Sequence, residues 1–367
     1  MNFRAISYYL GLFCFPISIL SFINILYSSY FDYFLSINSY ILTLIISFGF
    51  SLGFFFVGKN SSKKINFVEQ LILIILVYLL NSSLIALPFY LSNYQVTFLN
   101  SIFEAVSGLT VTGFSIFKNI KYLDPTLILW RSSSQWIGGL YFLYFLIIIF
   151  SNKKFNFKMN NLTFSGDGGI NSENNIKDLL VKISFLYSLL SFIIFLLLNI
   201  TEVRMFNSLN LSMSLISTGG FIPSDSLNKI IQTNPQKVII IFSLLISMLN
   251  FFLILNIFEK KILLREHKED LYLIVLAFIF ILPLYANNYS SLDITISVLS
   301  SLGNSGLSLL NSNKDFSLYF ILITIIGGSL ISNTSGIKLT RFYILLKTSS
   351  SEIIKLISPN SIVNKNI

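Results

Sequence analysis

Histidine and cysteine are nearly absent from the 367 residues, with one of each. The single Cys14 excludes an internal disulfide. The single His267, beside Lys268 and Glu269, leaves almost nothing for a His/Cys metal site, so the chain is not expected to be an enzyme and no covalent cofactor is expected. Charge is scarce as well: 11% of residues are charged against 54% hydrophobic, and mean hydropathy is +0.76. Soluble domains carry about 25% charged residues on a solvated surface. The composition is that of an integral membrane protein.

Apolar runs at about 7–27, 39–57, 67–91, 127–150, 179–199, 237–258, 271–286 and 318–334 give eight candidate spans. The first is long, aromatic throughout and without a small-residue cleavage site, so it reads as a retained helix. With the N-terminus inside, the inner segments (Arg4; Lys59, Lys63, Lys64; Lys153, Lys154, Lys158, Lys177, Lys182; Lys260, Lys261, Arg265, Lys268; Lys338, Arg341, Lys347, Lys355, Lys365) hold 18 of the 25 Lys and Arg. That asymmetry predicts two cytoplasmic termini, and it accounts for the net charge of +9 without nucleic-acid binding.

Three outer connections share a pattern. "FLNSIFEAVSGLTVTGFS" (98–115), "MFNSLNLSMSLISTGGFIPSD" (205–225) and "DITISVLSSLGNSGLSLL" (293–310) each offer a helix too short to span, then a polar turn. The turns read Val111-Thr112-Gly113, Ser217-Thr218-Gly219 and Asn304-Ser305-Gly306. Non-helical backbone at membrane depth survives only where protein buries it or water lines it. Carbonyl and hydroxyl oxygens suit a dehydrated monovalent cation. Glycine lets such a turn take positive φ, and the preceding helix C-termini favour positive charge. Small-residue packing between helices explains one such turn; three at the same place in a repeat point to an ion path.

The segments "MNFRAISYYLG", "ALPFYLS", "FEAVSGLTVTGFS", "WRSSSQWIGGL", "LISTGGFIPSD", "IIGGSLISNTSGIKLTR" and "EIIKLISPNSI" occur in this order along the whole chain. Together they resemble the Trk/Ktr/HKT superfamily of potassium and sodium uptake proteins, most closely the bacterial Trk-type membrane subunit. The resemblance implies an all-α integral membrane protein, an introductory transmembrane hairpin plus three helix/pore-helix/helix repeats of a potassium-channel-like pore, with the fourth repeat missing. Its parts would be the hairpin at 1–60, repeats at 61–152, 153–262 and 263–350, and a cytoplasmic segment at 351–367. Three walls leave a pore open to lipid, so a fourth repeat from a longer chain or a second polypeptide is expected.

By the same resemblance the filter comprises Thr110, Val111, Thr112, Gly113; Ser217, Thr218, Gly219, Gly220; and Gly303, Asn304, Ser305, Gly306. K+, or Na+, would be held at Val111, Thr112, Ser217, Thr218, Asn304 and Ser305. Gly327, Gly328, Ser335, Gly336 and Lys338 would belong to an intramembrane gating loop, since small and polar residues at 327–336 interrupt an apolar run at mid-membrane. Lys338 and Arg341 are also placed to snorkel to the cytoplasmic interface. The resemblance further implies a homodimer in the plasma (inner) membrane with a cytosolic nucleotide-binding regulatory ring.

Other residues have simpler readings. Glu104, Glu202, Asp225 and Asp293 fall on the outer side, where each fits cation attraction, solvated loop charge or helix capping alike. Arg131 and Gln135, one turn apart, face the first pore helix as braces. Trp130 and Trp136 fit an interfacial belt. A coupled secondary transporter and a non-conducting scaffold are the rival functions; repeats that all run in one orientation disfavour the inverted topology of many carriers.

Overall fold

The computed structural model describes residues 2–33, 37–62, 65–150, 173–258, 268–286, 290–310 and 316–357. Lys63, Lys64, Lys153, Lys154, Lys158, Lys260, Lys261, Arg265, His267, Lys365 and the segment 358–367 lie outside the described residues. The chain divides into two compact units, Met1–Ser243 and Leu244–Ile367.

The first unit opens with α1 (Phe3–Tyr30) and α2 (Ile37–Gly58), followed by α3 (Phe67–Tyr90), α4 (Phe98–Leu109), α5 (Pro125–Phe150), α6 (Glu173–Ile200) and α7 (Met205–Ser217). α1 and α2 form a hairpin whose backbones touch: a Cβ on Gly11 would meet the Ser51 carbonyl at 2.7 Å, and the Ser51 hydroxyl donates to Gly11 O at 2.9 Å. Small residues allow such close approach where no hydrophobic effect drives helices together. The start of α1 is tied to that of α3, because Glu69 accepts from the Asn2 N–H at 2.6 Å and the Asn66 N–H at 2.8 Å. Near Pro16, which interrupts the α1 ladder, the Phe13 carbonyl accepts from Asn81 Nδ2 at 3.1 Å and Tyr141 Oη at 2.5 Å. α1, α3, α4 and α5 enclose the core of this unit around Leu10, Cys14, Val77, Phe89, Leu109 and Trp130.

The surface is apolar and the interior holds polar groups. Ile75, Leu79, Val181 and Phe185 are exposed, while Asn24, Asn81, Arg131 and Gln135 are buried. Lipid rather than water is the solvent such a chain fits.

α8 (Asn234–Met248) and α9 (Phe251–Phe258) are bent by 102° at residues 249 and 250. The second unit continues through α10 (Lys268–Ile281), α11 (Ser291–Leu302), α12 (Ser317–Ile325) and α13 (Leu339–Ile357). Among the described residues five helices, α1, α2, α3, α5 and α6, are long and apolar enough to cross a membrane, or six spans if α8 and α9 count as one. Of the eight runs expected from hydropathy, three are broken or short as helices among the described residues. The run 237–258 is folded at Asn250, whose Oδ1 accepts the Phe252 N–H at 3.0 Å and whose own N–H donates to Asp270 at 2.9 Å. The run 271–286 is 14 residues of α-helix and then a 3-10 turn, Leu282–Ala286, and the run 318–334 is helical only to Ile325. Hydropathy registers apolar content and cannot see a side chain that caps a broken helix.

Candidate ion-conduction site

The three short helices end in the same way. α4, α7 and α11 have 12, 13 and 12 residues, about 18–20 Å at 1.5 Å per residue, which is well short of a bilayer. After them, the N–H groups of Val111, Thr218 and Asn304 donate to Gly108, Leu215 and Ser301 carbonyls at 3.0, 3.2 and 3.2 Å. The next N–H groups, of Thr112, Gly219 and Ser305, reach back to Ser107, Ser214 and Ser300 carbonyls at 2.9 Å each. This is a Schellman closure, whose left-handed residue is usually glycine. Here that residue is Val111 (φ +59°), Thr218 (+60°) or Asn304 (+55°), and two positions on stand Gly113 (+82°), Gly220 (+80°) and Gly306 (+68°).

The register corrects the sequence reading. Gly219 does not take positive φ and corresponds to Thr112 and Ser305; Gly220 is the counterpart of Gly113 and Gly306. An L-residue in the left-handed region costs about 1–2 kcal/mol, and a β-branched one is an outlier. Val111 and Thr218 are held there by what surrounds them.

α5 supplies the surroundings in the first unit. Arg131, Ser134, Gln135 and Gly138 recur at the three- and four-residue spacing that puts them on one helix face. Gly138 lets the end of α4 sit against α5, since a Cβ there would lie 2.2 Å from Leu109 O, and Gly108 packs on Ser134 in the same manner. Gln135 is fully buried; its Nε2 donates to Gly219 O at 2.6 Å and its Oε1 accepts the Phe221 N–H at 3.0 Å. The first two turns touch directly, because a Cβ on Gly113 would stand 2.2 Å from Gly219 O.

Arg131 pairs with Glu104 at 2.7 Å, both fully buried, and its guanidinium lies 4.2 Å from the Phe221 ring centroid. Glu104 also accepts from Ser115 Oγ at 3.0 Å and the Ile116 N–H at 2.9 Å, fixing the chain that leaves the first turn. Arg131 braces the first short helix, as its spacing suggests; Gln135 is corrected, since both of its polar atoms serve the second turn rather than that helix. Glu104 is corrected: it is no outer-surface charge but the buried partner of Arg131, 27 residues away and invisible to local pattern. Trp130 is likewise corrected from an interfacial to a buried residue, donating to Ile85 O at 3.0 Å.

The remaining outer acids are structural in part. Asp225 bonds Lys229 Nζ at 2.9 Å and the Lys121 N–H at 3.3 Å, contacts that hold its carboxyl below the usual range, and Asp293 faces the Ser290 cap of α11. Within the turns, Thr110 Oγ1 lies 2.7 Å from both Val106 O and Thr112 Oγ1; Ser217 and Thr218 hydroxyls donate to Met213 O and Ser217 O at 2.8 and 2.6 Å. Ser305 Oγ is 3.0 Å from Ser300 Oγ.

In the second unit the apolar run after α12 opens into a loop at 326–338, closed at its ends by an isolated parallel bridge between Ile326 and Ile337. A Cβ on Gly327 would lie 2.1 Å from Ser335 O, so its two limbs touch. Gly328 N–H donates to Thr334 Oγ1 at 2.9 Å. The Lys338 ammonium is folded into the loop, within 3.1 Å of Ser332 O and 2.6 Å of Thr334 O, and is buried rather than extended to an interface. The loop is stitched to the α8/α9 break: Ser329 N–H donates to Met248 O at 3.1 Å and Phe251 N–H to Ile331 O at 2.9 Å. The third turn lies against the same loop, since a Cβ on Gly336 would be 3.0 Å from Asn304 Nδ2.

Comparison with known proteins agrees with this architecture. The chain is 27% identical over 342 residues to an uncharacterized cation transporter of Methanocaldococcus jannaschii, covering 89% of this chain and 69% of that protein. It is 24% identical over 364 residues to the Trk system potassium uptake protein TrkG of Escherichia coli, covering 90% and 72%. The crystal structure of the potassium transporter TrkH from Vibrio parahaemolyticus superposes with a TM-score of 0.83 at 18% identity, over 100% of this chain and 79% of that one, a likeness of fold. The family model TrkH, cation transport protein, matches residues 36–275. An all-helical membrane architecture and a family match over most of its length place the chain in the TrkH family of cation transport proteins.

Proposed function

We propose that the chain is the membrane subunit of a potassium uptake system, with the turns at 110–113, 217–220 and 303–306 as its selectivity filter. The observation that carries this reading is the common backbone of the three turns, held against side-chain preference at Val111 and Thr218. Strain of this kind persists where function requires a fixed shape. The ligands would be backbone oxygens at Val111, Thr112, Ser217, Thr218, Asn304 and Ser305, with K+ as the transported ion and Na+ as its competitor. The names of the Trk system relatives support the choice of K+. The protein would work as a homodimer in the inner membrane on a cytosolic nucleotide-binding regulator. Rubidium uptake by K+-starved cells lacking other uptake routes, with the gene at its native locus, tests the function.

The loop at 326–338 is the gate in this reading, with Gly327, Gly328, Ser335 and Gly336 giving it its fold and Lys338 its latch. A buried ammonium that donates to two backbone carbonyls contributes about 1.5–3 kcal/mol per charged hydrogen bond. Lys338→Met is therefore expected to raise basal Rb+ uptake several-fold while the protein still reaches the membrane. Basal flux equal to wild type would remove Lys338 from gating.

Orientation follows from the charge distribution. On a background with Cys14 replaced, Ser61→Cys is expected to react with an impermeant thiol reagent only from the cytoplasmic side, and Gln95→Cys and Asn228→Cys only from outside. The inverse labelling would put the turns on the cytoplasmic face and remove the argument for an outward-facing filter.

A further inference from the structure

We infer that Gln135 sets ion discrimination at the second turn, by holding the Gly219 carbonyl against the scaffold and out of the ion path. This rests on the reading of the turns as a filter. Gln135 belongs to α5, the helix after the first turn, yet both of its polar atoms are committed to the second: Nε2 to Gly219 O at 2.6 Å and Oε1 to the Phe221 N–H at 3.0 Å. The grip brackets Gly220, at φ +80°. It is also tight, because a Cβ on Gly219 would lie 2.3 Å from Gln135 Cδ.

The second turn needs such a grip. Gly219 and Gly220 adjoin, and a peptide between two glycines has the least steric resistance to rotation. Without a partner the Gly219 carbonyl is free to turn, and a carbonyl that rotates changes the number and field of oxygens an ion meets, the quantities on which K+/Na+ discrimination depends. Gln135 supplies a donor on one side of that oxygen, and Gly113 of the first turn closes the other side, where a Cβ would approach to 2.2 Å. Gln135 is thus a positioning residue that makes the second turn's shape depend on the first repeat's helix. Gly219 O, although within the filter segment, is a scaffold acceptor and contributes no ion ligand.

Two variants separate this role from packing. Gln135→Met keeps length and bulk and removes both polar groups; Gln135→Leu removes both with a branched apolar chain. Each is expressed from the native locus in K+-starved cells, and Na+ competition against Rb+ uptake is measured beside membrane abundance. Both are expected to reach the membrane and take up Rb+, with Na+ competing at least about tenfold better than in wild type, a shift of about 1.4 kcal/mol. A wild-type ratio in Gln135→Met means that the side chain only fills space and overturns the inference alone. Loss of both variants from the membrane assigns Gln135 to folding and overturns it too. If the wild-type protein takes up no Rb+, the filter reading fails first and the inference falls with it.

Discussion

Gly113→Val is expected to abolish selective Rb+ uptake, at least a tenfold loss, while the protein inserts at normal abundance. Two costs coincide at this position. φ is +82°, where an L-residue loses about 1–2 kcal/mol and a β-branched one more. A Cβ would also sit 2.2 Å from Gly219 O, a backbone atom pinned by Gln135 and unable to withdraw cheaply. At 1.4 kcal/mol per factor of ten, the backbone cost alone nearly suffices, and the overlap adds to it. Gly306→Ala is the internal control. It carries a similar φ of +68° but its Cβ would meet nothing within 4 Å, so its loss is expected to stay within about five- to thirtyfold, the equivalent of 1–2 kcal/mol, and below that of Gly113→Val. Uptake and ion preference compared across the two variants read the difference. A Gly113→Val protein with wild-type preference would show that the first turn is not part of the filter.

Arg131→Met is expected to destabilise the protein by about 3–5 kcal/mol, the typical cost of leaving one member of a buried ion pair without its partner. Glu104 would remain buried and charged behind the first turn, with Ser115 and the Ile116 N–H as its other contacts. Proteins are commonly stable by only about 5–15 kcal/mol, so little folded material should survive detergent extraction. The pair Glu104→Gln with Arg131→Met removes both charges and keeps an acceptor for Ile116, and it is expected to recover most of the loss. Thermal melting followed by size-exclusion chromatography checks both. Equal melting temperatures for wild type and Arg131→Met would mean that the pair is dispensable.

How much of this was legible in the sequence depends on the kind of signal. The hairpin, the short helices and the polar turns follow from apolar run length and from where Gly, Ser and Thr interrupt it. Arg131 is legible as a brace of the first short helix because a helix face repeats every three to four residues, whereas Gln135, on the same face, reaches a turn 84 residues away that local spacing does not show. The turn register was not: letters align Gly219 with Gly113, but the Schellman bonds align Gly220 with it. The fold of α8 into α9 was hidden because Asn250 is one of a few scattered polar residues inside a long apolar run, and the groups that hold the break, Asp270 for the Asn250 N–H and Ile331 O for the Phe251 N–H, are distant in sequence. Glu104 reads as an outer charge for the same reason: Arg131, which satisfies it, becomes a neighbour only on folding. Lys338 reads both as part of the 327–338 loop and as a snorkelling residue, and only the fold brings its ammonium to the Ser332 and Thr334 carbonyls.

The most direct test of the account is Rb+ influx under an imposed membrane potential, with Na+ as competitor, in K+-starved cells that carry the gene at its native locus and lack other uptake routes. A cation moving inward gains about 2.3 kcal/mol per 100 mV, which corresponds to roughly fiftyfold accumulation without any coupled ion. The account predicts saturable Rb+ influx that rises with inside-negative potential, is displaced by K+ in preference to Na+, and disappears in Gly113→Val. Influx indifferent to the potential, or unchanged by Gly113→Val, would contradict it.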